Sequence, residues 1–214
     1  MSCPCCRPEA YGAVFSERGA RRALRRYRKR GLDRLSSRMA RMVREQGIPA
    51  TVLEAGGGIG ALGVELLEAG ADRATNVELS PEYETAARDL ARERGVEDRV
   101  ERRIGDFVTE EDVGPADAVV MNRVVCCYPN YEALVGSAAD RARRLLVFSF
   151  PRENAVVRAG FGVMNLWLRL SGSEFRGFVH PVDAMLQVAK DHGLRPVAHE
   201  RGVFWQLAAL QRTA

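Results

Sequence analysis

Residues 54–60 read Glu-Ala-Gly-Gly-Gly-Ile-Gly and stand directly after the apolar run Thr51-Val52-Leu53. Glycines at such a place let the chain turn tightly and bring backbone N–H groups against a ligand at the start of a helix. Gly58-x-Gly60-x-x-Gly63, with Glu78 lying 20 residues beyond Gly58, meets the fingerprint of a dinucleotide site. Glu54 weighs against that ligand, because a carboxylate ahead of the glycines would face a pyrophosphate as a like charge. The same carboxylate suits a ligand that carries an ammonium and a sulfonium. Three more groups stand where later strand-like segments end. Glu78, with Leu79 beside it, closes the second segment, Gly105-Asp106-Phe107 follows the third, and Asn122 follows the fourth. A carboxylate can accept two hydrogen bonds from a diol, and a phenyl ring can pack on a flat heterocycle.

The order Glu54-x-Gly56-x-Gly58-x-Gly60 resembles motif I of the class I S-adenosylmethionine-dependent methyltransferases, and the resemblance extends over residues 50–150 at least. It implies S-adenosylmethionine as the methyl donor. It also implies a cofactor-binding set of Glu54, Gly56, Gly58, Gly60, Glu78, Leu79, Asp106, Phe107 and Asn122. In that set Glu78 holds both ribose hydroxyls, Asp106 or its neighbouring amide addresses the adenine amino group, and Asn122 lies at the methionine end. The stretch 122–131, the strand end Phe148-Ser149-Phe150-Pro151 and the segment up to His180 are more loosely similar to the magnesium-protoporphyrin O-methyltransferases. That similarity implies a carboxylate acceptor on a large apolar molecule.

Methyl transfer from a sulfonium is an in-line displacement in which positioning does much of the work, and a base is needed only when the acceptor carries a proton. Tyr128, Arg176 and His180 are the candidates for acceptor contact, orientation and proton transfer. O-methylation of a small molecule, at a carboxylate or a hydroxyl, is the first expectation. Asn122-Arg-Val-Val-Cys-Cys-Tyr-Pro129 departs from the Asp/Asn-Pro-Pro-aromatic of base-amine methyltransferases, and Cys126 follows Val125 rather than a proline. Nucleic acid is therefore not the expected partner. A nucleic-acid enzyme, a thiol- or metalloid-directed enzyme and a non-catalytic S-adenosylmethionine sensor stay open as alternatives. Five cysteines, Cys3, Cys5, Cys6, Cys126 and Cys127, are an odd number without paired Cys-x2-Cys spacing, so neither a disulfide framework nor a metal site is expected.

These groups need strand ends to hold them, and the pattern supplies alternating strands and helices. Strands are predicted at 50–55, 73–79, 99–104, 117–121, 144–150, 194–200 and 203–210. Helices are predicted at 60–69, from Ser80-Pro81 to Gly95, after Pro129-Asn130, and at 180–192. That alternation implies an α/β, Rossmann-like, mostly parallel seven-stranded sheet, with helices on both faces and an antiparallel last strand. Residues 16–46 read as helix broken at Gly31, with an apolar stripe backed by arginines. Residues 1–48 hold 13 Lys and Arg against 4 Asp and Glu, and the rest holds 19 against 24, which confines the net charge of +4 to the N-terminus. Residues 1–48 are accordingly expected to be a basic lid on a methyltransferase domain at 49–214. Tyr27 is expected to face inward, with Arg30 or Arg34 reaching the cofactor's carboxylate. From 154 to 170 the polar residues Asn154, Arg158, Asn165 and Arg169 fall on one stripe of a widely apolar helix. That helix would cover an apolar acceptor, through Phe161 and Trp167, or lie on a membrane surface as a peripheral contact. The length of 214 residues and the composition, 46% hydrophobic and 28% charged, fit one globular domain. No secretory leader is apparent, so the cytoplasm is the expected compartment. The oligomeric state is left open.

Overall fold

A computed structural model describes residues 11, 12 and 14–213. The chain enters through two helices, α1 (Glu17–Arg30) and α2 (Arg34–Glu45). Ser16 caps α1 by accepting from the Gly19 amide, and Asp33 caps α2 by accepting from the Leu35 and Ser36 amides. Gly31 separates them at φ 65°, where side chains are disfavoured. Then follow β1 (Thr51–Ala55), α3 (Ala61–Glu68), β2 (Arg73–Glu78), α4 (Glu84–Glu93), β3 (Val100–Ile104) and β4 (Ala116–Met121). The second half holds α5 (Tyr131–Arg141), β5 (Ala142–Pro151), α6 (Ala155–Leu170), α7 (Val182–Asp191), β6 (Leu194–Arg201) and β7 (Trp205–Arg212).

The seven strands form one sheet in the order β3-β2-β1-β4-β5-β7-β6. The first five are parallel, and β7 runs antiparallel to both β5 and β6. The fold class is the one expected from the alternation. Side chains on a strand point alternately to opposite faces, so each strand feeds two cores. Val52, Val120, Val147 and Leu207 pack with α1, α2, α3 and α4 on one face. Leu53, Val119, Leu146 and Ala208 pack with α5 and α7 on the other. Strand order reverses between β1 and β4, and a crevice opens at the carboxyl ends of the strands there.

Four details depart from the sequence reading. Ser80 does not cap a helix through its side chain. Its hydroxyl donates to the Phe15 carbonyl oxygen, and one 3-10 turn, Pro81–Tyr83, precedes α4. Val203 and Phe204 belong to the turn closed by the Gly202 amide on the Trp205 carbonyl, so β7 starts two residues later than expected. The N-terminal helices are not a detachable cover. Ala20, Leu24, Tyr27, Met39, Met42 and Val43 are buried in the same core as the sheet, and removing residues 1–46 would uncover the part of that face not held by α3 and α4. Tyr27 does face inward, but its hydroxyl donates to Glu65 on α3 and away from the crevice. Cys3, Cys5 and Cys6 lie outside the described residues.

Candidate active site

The loop after β1 is shaped by what lies beneath it. Glu54 shares its strand face with Val52 and points under the glycines, where it is buried and accepts from the Gly63 amide at 3.2 Å. Burial pushes its carboxyl up to about 7, against the Gly63 amide and the Arg102 charge, with Glu78 adding to the rise. A Cβ on Gly57 would stand 2.4 Å from Glu54 Cδ and 2.6 Å from Asn76 Nδ2, so a side chain there has no room. Gly56, at φ 60°, is equally confined, because its Cβ would lie 2.7 Å from Val124. Arg102 supports the loop from the β3 side. Its Nη1 donates to the Gly58 carbonyl oxygen and its Nε to Glu84.

Above the loop, at the reversal of strand order, lies a cavity of about 290 Å³. That is at the small end of ordinary ligand pockets, roughly 300–1,000 Å³. Gly56, Gly58, Glu78, Leu79, Asp106, Phe107, Asn122 and Tyr128 all line it. Eight of the twelve residues singled out in the sequence are thus gathered around one space. Glu78 sits at the end of β2. Its two carboxylate oxygens accept from the Gly58 amide at 2.8 Å and the Ser80 amide at 2.9 Å. Each oxygen keeps a further lone pair for a ligand hydroxyl. Asp106 takes the Val108 amide on one oxygen and the Tyr128 hydroxyl, at 2.9 Å, on the other. Phe107 is backed by the Arg141 guanidinium, 5.0 Å from its ring centre. Asn122 is fixed from two sides, donating to Ser36 on α2 and accepting from Ser149 on β5.

Four expected residues lie elsewhere. Glu54 is under the loop, as described, and its carboxylate addresses a helix amide rather than the cavity. Gly60 does not line the space; at φ 73° it opens α3. Arg176 folds back onto the carbonyl oxygens of Ser173 and Phe175. His180 is buried between Phe178 and Tyr131, and its Nε2 lies 2.9 Å from the Tyr128 carbonyl oxygen, to which it donates. Burial holds its imidazole below the usual range, against the Tyr128 and Val125 carbonyls. His180 therefore anchors the turn that carries Tyr128 and does not line the cavity. Arg30 and Arg34, expected to reach a carboxylate, are exposed on the outer side of α1 and α2. His180→Ala is expected to destabilise the fold by about 1–3 kcal/mol, the cost of an unsatisfied buried partner. The pH profile of turnover should be unchanged. A large loss of turnover with unaltered melting and a missing pH limb would restore His180 to the chemistry.

Residues given no cofactor or acceptor role in the sequence reading supply the outer wall. Tyr11, Phe15 and Tyr83 line the cavity, with Arg123, Val124 and Cys127. The Tyr11 hydroxyl donates to the Cys127 carbonyl oxygen at 2.5 Å, which ties the N-terminal segment to the turn after β4. Arg123 is the cation on the wall. It adopts φ 61°, a costly conformation for a non-glycine, worth about 1–3 kcal/mol. Two contacts hold it there. Ser149 Oγ accepts its amide at 2.7 Å, and Asp33 takes its guanidinium bidentately at 2.8 and 3.0 Å. Burial opposes the charge on Asp33, yet the guanidinium and the Ser36 and Leu35 amides win and hold its carboxyl at about 2. Adjacency to Asn122 at a strand end was the signal that would have found Arg123. Cys126 and Cys127 are free thiols with sulfurs 3.6 Å apart. Their mutual hydrogen bond, burial and Glu78 push the Cys127 thiol well up, so it stays protonated.

The family described as “Methyltransferase domain” matches residues 21–199. Among solved structures, the chain is similar to magnesium protoporphyrin IX methyltransferase from Synechocystis PCC 6803 with bound S-adenosylhomocysteine. That match has 22% identity and a TM-score of 0.65 over 83% of this chain and 80% of that one. An O-methyltransferase family protein from Burkholderia thailandensis matches at 21% identity and a TM-score of 0.69, over 94% of this chain and 64% of that one. Geranyl diphosphate C-methyltransferase from Streptomyces coelicolor A3(2), in complex with magnesium, geranyl diphosphate and S-adenosylhomocysteine, matches at 17% identity and a TM-score of 0.64. It covers 84% of this chain and 80% of that one. No curated protein matches the chain.

Proposed function

The chain belongs to the methyltransferase-domain family of S-adenosylmethionine-dependent enzymes, and from that premise we propose that it methylates a carboxylate oxygen of a small, largely apolar acceptor. S-adenosylmethionine supplies an electrophilic methyl group on a sulfonium. The residues of the cavity divide into a cofactor part and an acceptor part. Glu78 receives the ribose hydroxyls, Asp106, Leu79 and Phe107 surround the adenine, and the loop at Gly56–Gly58 and Asn122 border the methionine end. These are assignments by chemistry. Glu78 offers two acceptor oxygens and Phe107 a flat apolar face, while Gly57 keeps the floor free of side chains.

The observation that carries the acceptor class is the composition of the remaining wall. Tyr11, Phe15, Val124 and Cys127 are apolar or aromatic, and Arg123 is the cation among them. No histidine of the described residues lines the cavity. A carboxylate acceptor needs no base, because its oxygen already carries the electron pair that attacks the methyl carbon as the carbon–sulfur bond breaks. A guanidinium orients such a group, and apolar walls bury the rest of the molecule. Tyr128, held by Asp106, stands at the border between the two parts as an acceptor contact. The cytoplasm is the compartment we propose for the reaction, as a reducing setting in which the adjacent free thiols of Cys126 and Cys127 persist.

The test is to incubate the protein with methyl-labelled S-adenosylmethionine and a cell extract and to isolate the labelled product. A carboxyl ester releases its label as methanol on mild alkaline treatment. A base-stable product overturns the carboxylate assignment. If that product carries the methyl group on sulfur or a soft element, Cys127 on the wall, with Cys126 buried behind it, becomes the feature to follow.

A further inference from the structure

We propose that the outer face of α6 seats the enzyme on an anionic lipid surface. The inner side of this helix is accounted for. Leu168 and Met164 pack against Tyr11, Phe15, Phe175 and Cys127, so α6 backs the wall of the cavity. The outer side is not covered by anything among the described residues. Val156 is 82% exposed, Val163 70%, Leu166 58%, Trp167 66% and Leu170 79%. At 100° per residue these five side chains fall on one face, with Ala159 among them and Gly160 at its edge. An apolar face of this width on a surface helix marks an interaction site. The expectation that Phe161 and Trp167 bury the acceptor is corrected here, since Trp167 points outward and Phe161 stacks on Phe204 of the β6–β7 turn.

Charge selects the occupant. Between 155 and 170 the helix has Arg158 and Arg169 and no acidic residue. With Asn165 the two arginines form a stripe along one edge of the apolar face, 180–220° around the helix against 280–40° for the face. Arg152 precedes the helix and is exposed. Glu153 and Arg158 pair with each other, and Glu153 also accepts from the Val182 amide, so the exposed charges left around the helix are Arg152 and Arg169 against Glu174. The small excess of cations around the helix complements lipid phosphates. Arginines at the headgroup level, a tryptophan and aliphatic side chains below it make the pattern of a helix lying in the interface. Among the described residues no helix is long and apolar enough to cross a membrane. Seating would bring the back of the cavity wall against the lipid, where an apolar acceptor partitions. The surface itself does not depend on which acceptor is methylated.

The test is sedimentation of the full chain with vesicles of phosphatidylcholine alone and of phosphatidylcholine with phosphatidylglycerol, with light scattering of the free protein. Binding to the phosphatidylglycerol vesicles is expected, with an affinity for neutral vesicles at least tenfold weaker. The double variant Val163→Glu, Leu166→Glu should lose that binding at least tenfold while keeping its melting temperature and its affinity for S-adenosylhomocysteine, since both side chains are exposed. The basic helix α1 provides the internal control. If the double variant binds as well as the parent, α1 is the lipid contact and the proposal fails. No binding to anionic vesicles also overturns it. So does a concentration-dependent dimer that the double variant abolishes, because α6 is then an interface between copies of this chain.

Discussion

Glu78→Ala should weaken S-adenosylhomocysteine binding by roughly 100-fold. The carboxylate at the end of β2 offers its oxygens to two ribose hydroxyls, and hydrogen bonds to a charged group are worth about 1.5–3 kcal/mol each, without strict additivity. The same substitution deprives the Gly58 and Ser80 amides of their acceptor, so the loop that borders the cofactor loosens as its anchor disappears. Glu78→Gln keeps the size and one acceptor oxygen and should fall between the two. Calorimetric titration measures all three proteins, and circular dichroism confirms that the variants are folded. Unchanged affinity in a folded Glu78→Ala protein would remove the end of β2 from the cofactor site.

Gly57→Ala acts on the floor of the same site by a different route. The new Cβ would meet Glu54 Cδ at 2.4 Å and Asn76 Nδ2 at 2.6 Å, two side chains that are themselves buried. Glu54 cannot swing away without giving up the Gly63 amide at the start of α3. Overpacking of this kind costs about 1–3 kcal/mol, which for a chain of this size lowers the melting temperature by several degrees. Cofactor binding should be lost with it, because the loop must rise into the cavity to make room. Gly114→Ala, at a glycine with open space around it, is the control and should leave both quantities unchanged. A Gly57→Ala protein that melts and binds like the parent would show that the glycine run is a simple turn.

The sheet and most of the cavity were legible because they rest on local signals. Alternation of apolar runs with capped helices gives the parallel order, and ligand groups collect at strand ends, where Glu78, Asp106 and Asn122 were found. Glu54 was legible as a residue of the motif and misread in direction. Counting alternate faces from Leu53, which packs with α5 and α7, sends Glu54 to the opposite face beneath α3. Its role follows from that pleat and from the buried amide of Gly63. His180 and Arg176 were chosen for their chemistry, and chemistry does not reveal distance. One became a clamp on the Tyr128 carbonyl and the other folded onto its own backbone. Tyr11 and Phe15 carry no sequence signal for a binding role and reach the cavity by a tertiary contact, the Tyr11 bond to the Cys127 carbonyl. The periodicity of α6 announced an apolar face without saying what covers it, and the side it buries proved to be narrow.

The relation between the N-terminal helices and the site is physical rather than hinged. Asp33 joins α2 to Arg123 and Ser36 joins it to Asn122, both at the end of β4. Ser149 at the end of β5 closes this network through both residues. The helix pair, the two strand ends and the cavity wall are therefore set by one connected group of polar contacts over a shared core. Such a network positions the wall before any ligand arrives, which is how an enzyme that relies on orientation limits the motion it must later restrain.

A crystal structure with S-adenosylhomocysteine tests the central claim most directly, that the cavity at the ends of β1, β2 and β4 is the cofactor site. The account predicts the ribose hydroxyls within hydrogen-bonding distance of the Glu78 carboxylate, the adenine between Asp106 and Phe107, and the sulfur facing the wall of Tyr11, Arg123 and Cys127. A ligand bound with Glu78 out of reach, or bound outside this cavity, would contradict it.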